Sequence, residues 1–352
     1  MDDWLIIINR WRLYTKLKIM NKVYIKAINY YLPEQILTND QISERFLEWS
    51  AEKVAKKVGI TERHLSAENE TAADMAYKAA EKLFAENPKV KEQVDFLLLC
   101  SQSVDYKLPS SSCILQDRLG LSKKCGAFDF NLGCSGYEYG LAVAKGLIVS
   151  GIANNILLLT AETYTKYIHP EDKGNQIIFG DAATASLIST EGFAEIGEFV
   201  LGTDGSGAKN LIVNTGGSRN PEKTGNQSID ENGNIQWDDN LFMDGGAVFN
   251  FTSDVVPPMV EGLLAKENMV QDDVDLWIFH QANKYMINYL RKLMMIDKDK
   301  FYIFMEKVGN TVSSTVPIAI AEAKKENKLH GKVLLAGFGV GLSWGATMIN
   351  CE

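Results

Sequence analysis

A succession of apolar runs, turns and helical stretches occurs twice along the chain, and it constrains the fold more than any other feature of the sequence. In the first half, the apolar run at residues 94–100 is followed by Cys134, forty residues after the run begins. In the second half, the run at residues 274–280 is followed by Asn310, thirty-six residues after it begins. The helical stretches that come next span residues 137–149 and 316–326, and the later apolar runs span residues 155–160, 182–189, 332–336 and 345–350.

Strand, helix and strand in this order predict right-handed βαβ units with mostly parallel strands. Their repetition predicts an α/β protein of two pseudo-symmetric halves, which we place at residues 20–190 and 191–352. Two ordinary βαβ units that merely look alike are the alternative. Residues 1–19 lack the basic start and the long apolar core of a signal peptide, so we interpret them as an N-terminal extension.

The repeat also brings three polar residues into correspondence. Cys134 and Asn310 occupy equivalent positions in the two halves, and His280 ends the repeated strand. Ligands of such folds bind at strand ends, where the units meet. We therefore expect the three side chains to converge between the halves.

Composition and charge limit the possible classes of function. Hydrophobic residues make up 46% of the chain and charged residues 23%, which is typical of a globular protein. No apolar run is long enough for a membrane helix, and the net charge of −9 argues against nucleic acid or an anionic membrane as a partner. The five cysteines form no CxxC pair, so we expect no disulfide framework, no metal site and a reducing, cytoplasmic location.

Cys134 follows a strand and a run of small residues and precedes a helix, so its thiol lies on a tight turn at a helix N-terminus. Backbone N–H groups and the helix dipole stabilise a thiolate there, which lowers the pKa below its usual value of about 8.5. The turn therefore predicts a nucleophile, and a buried structural cysteine is the alternative. The other four cysteines have no such turn.

His280 and Asn310 each allow two interpretations. A histidine between an apolar strand and an amphipathic helix either faces a cleft or is a satisfied structural residue. Asn310 either caps the next helix or faces Cys134. Together the three residues form a nucleophile with two hydrogen-bond donors. The glycine-dense link at residues 337–345 joins two strands, which excludes a dinucleotide fingerprint but lets its backbone N–H groups complete an oxyanion hole.

Several motifs resemble one known family. The order Cys134, His280, Asn310 and the string His280-Gln-Ala-Asn283 are specific together. From residue 20 to the C-terminus the chain resembles β-ketoacyl-acyl-carrier-protein synthase III, of the thiolase-like superfamily. Type III polyketide synthases share the triad but lack the His-Gln-Ala-Asn string, and thiolases use a second catalytic cysteine. Further matching motifs are Tyr31-Leu-Pro-Glu, Gly59-Ile-Thr-Glu-Arg-His64, Ile178-Phe-Gly-Asp181 and Gly309-Asn310-Thr.

The resemblance implies a thiolase-like α/β fold with mostly parallel sheets and helices between and around them, a homodimer, and an enzyme that initiates fatty-acid or related acyl-chain synthesis. Cys134 would take an acyl group from an acyl-CoA, and malonyl-acyl-carrier-protein would then lose carbon dioxide. His280 and Asn310 would donate hydrogen bonds to the thioester oxygen, and the backbone N–H groups of Cys134 and Val340 would hold the oxyanion. Coenzyme A thioester is a substrate in this reaction, and no permanently bound cofactor is expected.

The resemblance also implies substrate contacts, some of which depart from the family's residues. Leu108 stands where acetyl-specific relatives have a phenylalanine that reaches across the dimer, so starters longer than acetyl are expected. Near the adenine, lysines replace a tryptophan and two arginines, and Trp49 could take over from the tryptophan. Near the pantetheine, Gly246 replaces an asparagine. The substrate-binding positions implied are Leu108, Lys53, Lys57, Lys173, Phe249, Ala282 and Asn283.

Docking of acyl carrier protein, which is acidic, requires a local basic face because the whole chain is acidic. On the helix after His280, Lys284, Arg291 and Lys292 recur at i, i+7 and i+8 and so share one face. A merely solvated helix face is the alternative.

Two other classes of function remain open at this point. One is an acyltransferase on the same scaffold, which passes the acyl group to a small-molecule acceptor without decarboxylation. The other is a non-catalytic partner subunit of a condensing enzyme, which the presence of Cys134, His280 and Asn310 disfavours.

Overall fold

The computed structural model of the protein describes residues 22–229 and 235–351, so the predicted extension at residues 1–19 lies outside the described residues. The strands are β1 (Tyr24–Tyr31), β2 (Gln35–Thr38), β3 (Glu62–Leu65), β4 (Phe96–Cys100), β5 (Gly126–Phe130), β6 (Asn155–Glu162), β7 (Ala182–Ser189), β8 (Ala194–Thr203), β9 (Leu211–Val213), β10 (Gln227–Ile229), β11 (Ile235–Trp237), β12 (Leu241–Met243), β13 (Leu276–Phe279), β14 (Phe301–Tyr302), β15 (Gly331–Gly339) and β16 (Ser343–Cys351). The α-helices are α1 (Asn39–Arg45), α2 (Ala51–Val58), α3 (Ala72–Glu86), α4 (Ser111–Arg118), α5 (Gly136–Val149), α6 (Lys173–Gln176), α7 (Gly245–Glu267), α8 (Lys284–Leu293) and α9 (Thr315–Lys325).

Ten strands form one sheet in the order β14-β13-β15-β16-β8-β1-β7-β6-β4-β5. Read inward from its two edges, the sheet gives β5-β4-β6-β7-β1 on one side and β14-β13-β15-β16-β8 on the other. Strands that correspond in the repeat, such as β4 and β13, therefore hold the same position when counted from the edge of their half. This confirms two pseudo-symmetric halves in an α/β fold. The proposed boundary at residues 190 and 191 falls between the end of β7 and the start of β8.

The sheet is mixed, which corrects the expectation of mostly parallel strands. Parallel pairing is confined to the flanks, where β4 pairs with β5 and β6, and β13 pairs with β14 and β15. The central neighbours β6–β7, β7–β1, β1–β8, β8–β16 and β16–β15 are all antiparallel. The physical reason is clearest for β15 and β16, because the three residues that join them are too few for a crossover and leave only a hairpin.

Two helices lie between the halves and determine where the site forms. Helix α5 packs on β4 and β6 of the first half and on β15 and β16 of the second, while α9 packs on β1 and β7 and also on β13 and β15. Their apolar faces share one buried cluster, in which Tyr137 and Leu141 of α5 are joined by Val316 and Ile320 of α9. The N-termini of both helices therefore lie near the contact between the halves. No helix among the described residues is long and apolar enough to cross a membrane.

Candidate active site

Cys134 lies on the turn between β5 and α5, where Ser135 is the N-cap residue of the helix, and only 7% of Cys134 is exposed. The small residues around it are required by close approach. A Cβ on Gly136 would overlap the Sγ of Cys100, and a Cβ on Gly133 would overlap the Cγ1 of Val340. The sequence Gly-Cys-Ser-Gly therefore lets the turn press against both halves.

The glycine-dense link of the second half reaches the nucleophile directly. A Cβ on Gly339 would lie 2.7 Å from the Sγ of Cys134, so only glycine fits there without displacement. The backbone N–H groups of Val340 and of Cys134 itself lie close enough to this Sγ to lower the pKa of the thiol. The two N–H groups proposed for the oxyanion hole are therefore near the sulfur.

Asn310 is buried and fixed by three hydrogen bonds. Its backbone N–H donates to the carbonyl of Ile178 at 2.9 Å, and its carbonyl accepts from the N–H of Gly180 at 3.0 Å. Its side-chain Oδ1 accepts from the N–H of Val312 at 2.9 Å, which leaves Nδ2 as the donor available to a substrate. Asn310 does not cap α9, which begins five residues later with Ser314 as its N-cap residue; its Oδ1 instead accepts from the first residue of the short 3₁₀ helix Val312–Ser314.

The loop that carries Asn310 packs against the turn that carries Cys134. A Cβ on Gly133 would lie 3.3 Å from the Cγ1 of Val312, and a Cβ on Gly136 would lie 3.6 Å from the Cβ of Ser313. The structure therefore brings the equivalent turns of the two halves together, as the repeat predicted.

His280 follows the last residue of β13 and is 2% exposed. Its backbone N–H donates to the carbonyl of Ala336 at 2.7 Å, and its Nδ1 lies 2.7 Å from the Oγ1 of Thr315. The ring meets Phe338 edge to face, one residue before Gly339. His280 is thus held between the Asn310 loop and the Gly339 link, both of which contact the nucleophile's turn.

Burial dominates the protonation of the site. It lowers the pKa of His280 to about 3, so the imidazole is neutral. It also raises the pKa of Cys134 to about 12, which contradicts the expectation of a stabilised thiolate. The N–H groups of Val340 and Cys134 do lower this pKa, but desolvation outweighs them, and the nearby carboxyls of Glu162 and Glu138 raise it further. The resting nucleophile is a thiol.

Residues that the sequence analysis did not identify surround the nucleophile. Glu162 is buried and accepts from the backbone N–H of Gln102 and, at 2.7 Å, from the hydroxyl of Ser103; burial raises its pKa to about 8. The hydroxyl of Tyr164 donates to the Oε1 of Gln102 at 2.8 Å, and its ring belongs to the same buried cluster as Cys134. These residues lie at the end of β6 and on the two segments that follow β4 and β6, and no local motif marks them.

A cleft of about 920 Å³, here called the entrance cleft, adjoins the site. It connects to the chemistry through Ile178, which lines the cleft and accepts the backbone N–H of Asn310, and through Asn283, three residues after His280. Its walls come from α2, the loop before α6, the segment β11–β12 and the start of α8. Among its lining residues are Trp49, Lys57, Lys173, Trp237, Asn283 and Tyr285.

Lysines gather around Trp49 at one side of the entrance cleft. The Nζ of Lys57 lies 4.5 Å from the ring centroid of Trp49 and the Nζ of Lys53 lies 5.4 Å from it. Lys173 forms an ion pair with Glu48, the residue before Trp49. The three lysines named from the sequence are therefore brought to one region, and Trp49 lies among them.

A hairpin that the sequence analysis passed over forms the other side of the cleft. Strands β10 and β11 pair with each other, and the last residue of β11, Trp237, stacks on His169 at 3.9 Å between ring centroids. Trp237 lines the entrance cleft. A single tryptophan in a segment rich in Asn, Gly and Asp was the signal that could have identified this side of the cleft.

The predicted pantetheine contacts lie at the start of α8 and on α7. Ala282 is buried, and Asn283 is the N-cap residue of α8, where its side chain accepts from the N–H of Met286 at 2.9 Å. Phe249 packs against two tyrosines of α8, with ring centroids 5.9 Å from Tyr285 and 4.7 Å from Tyr289.

Helix α8 presents two faces, and the predicted docking residues do not line the entrance cleft. Tyr285 lines it, whereas Lys284 and Arg291 line a second cleft of about 930 Å³ beside β14. The Nη1 of Arg291 donates to the carbonyl of Ile296 at 2.9 Å, so part of its function is structural. Lys292 is exposed.

Leu108 lines neither cleft. It is 83% exposed, and its neighbours Tyr106 and Val104 are 61% and 49% exposed. The strand β5, which forms one edge of the sheet, adds the exposed Phe128. Among the described residues, no group of three or more His, Cys, Asp or Glu is arranged to hold a metal ion.

Comparisons with known proteins agree with this geometry. The family model described as 3-oxoacyl-[acyl-carrier-protein (ACP)] synthase III matches residues 128–205, and the model of its C-terminal part matches residues 264–351. The β-ketoacyl-[acyl-carrier-protein] synthase III of Caldanaerobacter subterraneus is 33% identical over 324 residues, which cover 91% of this chain and 95% of that protein.

Solved structures give the same result. A 3-oxoacyl-(acyl-carrier-protein) synthase III determined at 2.1 Å has a TM-score of 0.91 and 46% identity, covering 94% of this chain and 99% of that one. The 3-oxoacyl-(acyl-carrier protein) synthase of Burkholderia xenovorans has a TM-score of 0.87 and 32% identity, covering 95% of each chain.

Proposed function

The chain belongs to the β-ketoacyl-acyl-carrier-protein synthase III family of thiolase-like condensing enzymes, and we propose from this that it condenses an acyl-CoA starter with malonyl-acyl-carrier-protein. The reaction is a decarboxylative Claisen condensation that gives a 3-oxoacyl-acyl-carrier-protein and initiates fatty-acid synthesis. The observation that carries this proposal is the contact of the Cys134 turn with both the Asn310 loop and the link that carries Gly339 and Val340.

The first step is acylation of Cys134. Its Sγ attacks the thioester carbonyl of the acyl-CoA, the bond from that carbon to the sulfur of coenzyme A breaks, and coenzyme A leaves as a thiol with the proton that Cys134 gives up. The tetrahedral oxyanion accepts hydrogen bonds from the N–H groups of Cys134 and Val340. Both N–H groups lie near Sγ in the resting site and lower the pKa of the thiol, which supports this role, because preorganised donors need no rearrangement during reaction.

The second step is decarboxylation and condensation. The malonyl thioester loses carbon dioxide, and the electrons of the broken carbon–carbon bond form an enolate. The enolate carbon attacks the acyl-cysteine carbonyl and releases Cys134 as a thiolate, which takes up a proton to return to the thiol. Two neutral donors stabilise the enolate oxygen, namely an imidazole nitrogen of His280 and the Nδ2 of Asn310. The low pKa of His280 and the bond from Val312 to the Oδ1 of Asn310 support these assignments.

The entrance cleft is the proposed binding site for coenzyme A. Its phosphates carry negative charge, and Lys53, Lys57 and Lys173 supply positive charge around the flat ring of Trp49. The ion pair of Lys173 with Glu48 would open or be shared when a phosphate binds. Phe249, Ala282 and Asn283 are the proposed contacts of the pantetheine.

Two further proposals concern protein partners. Acyl carrier protein would dock on Lys284, Arg291 and Lys292 of α8, beside the entrance cleft. A second copy of this chain would cover the exposed apolar residues near β5, and Leu108 would then reach the site of the partner and bound its starter pocket. The cytoplasmic location expected from the cysteines stays a prediction.

Mass spectrometry of the intact protein tests the reaction in two stages. Incubation with a panel of acyl-CoA donors should add one acyl mass to Cys134, and malonyl-acyl-carrier-protein should then remove it with release of a 3-oxoacyl-carrier product. Transfer of the acyl group from Cys134 to a small-molecule acceptor, with no reaction of malonyl-acyl-carrier-protein, would contradict the proposed condensation. The absence of any adduct on Cys134 would contradict its assignment as the nucleophile.

A further inference from the structure

The ring of His280 has one hydrogen-bonding partner whose identity decides what the ring can do. Its Nδ1 lies 2.7 Å from the hydroxyl oxygen of Thr315, and the two residues are 2% and 3% exposed. A neutral imidazole carries one N–H, so a proton on Nδ1 leaves Nε2 able only to accept, whereas a bare Nδ1 leaves Nε2 able to donate. The single proton of the Thr315 hydroxyl selects between these tautomers.

The Thr315 hydroxyl has two acceptors within reach. One is the Nδ1 of His280, and the other is the carbonyl of Val312 at 3.0 Å. This carbonyl already accepts the backbone N–H of Thr315. The carbonyl therefore stays satisfied when the hydroxyl turns away from it, whereas a bare and buried Nδ1 has no other donor among the described residues. Donation to Nδ1 leaves neither acceptor without a partner.

The helix that begins at Thr315 favours the same arrangement. Helix α9 has eleven residues, and its N-terminus carries partial positive charge. A lone pair on Nδ1 faces this charge favourably, whereas an N–H there would be repelled. The edge contact with Phe338 adds no competing donor.

We propose that Thr315 is a positioning residue that donates to Nδ1 of His280 and so holds the ring in the tautomer that carries its proton on Nε2. The consequence for catalysis rests on the proposed function, because only this tautomer can donate to the enolate oxygen. The tautomer itself is a property of the resting protein and is measured without any substrate.

The first test is long-range ¹H–¹⁵N NMR on protein labelled at its four histidines, with the His280 signals assigned from their loss in His280→Ala. We expect the Nε2–H tautomer in the wild type and in Thr315→Ser, and a shift toward Nδ1–H in Thr315→Val. An Nδ1–H tautomer in the wild type would overturn the proposal, and this measurement decides even if Thr315→Val fails to fold. An unshifted tautomer in a folded Thr315→Val would also overturn it.

The second test measures the two chemical steps separately. Thr315→Val should lower condensation by about tenfold or more while acylation of Cys134 keeps its rate, and Thr315→Ser should restore condensation. Thr311→Val is the matched control, because Thr311 is buried in the same segment and its hydroxyl has no hydrogen-bond partner among the described residues. A tautomer that shifts while condensation is unchanged would overturn the donor role of His280 in the proposed function. An equal loss in the Thr311→Val control would overturn the specific role of Thr315.

Discussion

The hydroxyls of Ser135 and Ser343 lie 2.7 Å apart and join the loop of Cys134 to the loop of Val340. Ser343 also donates to the carbonyl of Val340 at 2.9 Å, so it accepts the hydrogen bond from the Ser135 hydroxyl. One residue comes from each half of the repeat. This bridge fixes the carbonyl of Val340, whose backbone N–H lies near the Sγ of Cys134.

Ser343→Ala should therefore slow acylation. Loss of both bonds frees the Val340 carbonyl and misplaces an oxyanion donor, which we expect to lower the acylation rate by about tenfold. Rapid-quench mass spectrometry of acyl-Cys134 measures this rate. Ser135→Ala is the matched control, since it keeps the bond from Ser343 to Val340 and should have a smaller effect. Acylation of Ser343→Ala at the wild-type rate would show that the bridge does not position the backbone of Val340.

The protonation of Cys134 predicts its chemical reactivity in the absence of substrate. Because burial raises its pKa to about 12, the thiolate fraction should rise about tenfold per pH unit between about pH 6 and 9, without a plateau. The rate of alkylation by iodoacetamide, measured by mass spectrometry in a Cys113→Ser background, reports this fraction, since Cys113 is an exposed free thiol. A rate that levels off near neutral pH would instead support the expectation that the helix N-terminus stabilises Cys134 as a thiolate.

That correction shows which part of the site was predictable. The turn, the triad and the glycine link were readable because chain order and small residues encode them locally. The pKa of Cys134 was not, because desolvation is a property of the packed interior. For the same reason, neither the Thr315 partner of His280, thirty-five residues away, nor Glu162 could be identified from the sequence.

The fold shows the same division. The repeated strands and helices were predictable to within a few residues, since apolar runs bounded by turns set them; the predicted strand 182–189 matches β7 exactly in its bounds. Pairing direction was not predictable in the centre, because it depends on which edges meet after the two halves join. In the hairpin β10–β11, the apolar residues Ile229, Ile235 and Trp237 are separated by polar residues, so no continuous apolar run marks these strands.

Removing a donor of the second step should separate the two steps. His280→Ala or Asn310→Ala should lower condensation by roughly 10²–10³, the scale for one lost oxyanion donor, while acylation of Cys134 survives. Single-turnover assays with acyl-CoA alone and then with malonyl-acyl-carrier-protein measure each rate. Equal losses in both steps would contradict the assignment of His280 and Asn310 to the condensation step alone.

Glu138 makes a prediction about stability. Its carboxyl is buried, neither oxygen meets a hydrogen-bond partner of good geometry among the described residues, and burial raises its pKa well above the usual value. The folded chain thus holds it protonated, whereas the unfolded chain ionises it above about pH 4.3, so the wild type loses stability as the pH rises beyond that value. Glu138→Gln should raise the free energy of unfolding at about pH 7 by on the order of 1–3 kcal/mol.

Chemical denaturation at several pH values checks this. The advantage of Glu138→Gln should shrink toward about pH 4, where both folded and unfolded wild type are protonated. A variant that is less stable than the wild type at neutral pH would mean that the carboxyl is satisfied as an anion.

The last prediction concerns carrier-protein docking, for which long-range attraction cannot come from a net charge of −9. Lys284 and Lys292 are exposed on α8, whereas Arg291 also holds the carbonyl of Ile296, so the two lysines can be reversed with less risk to the fold. Lys284→Glu with Lys292→Glu should raise the apparent KM for malonyl-acyl-carrier-protein about tenfold, equivalent to about 1.4 kcal/mol. Acylation by acyl-CoA should barely change, and the defect should shrink as salt screens the wild-type attraction.

Lys89→Glu with Lys124→Glu, at exposed positions of the first half, makes the same change in net charge and should leave KM unaltered. If the α8 pair leaves KM unchanged at low ionic strength, the carrier docks elsewhere, and the lysines around Trp49 are the next surface to reverse.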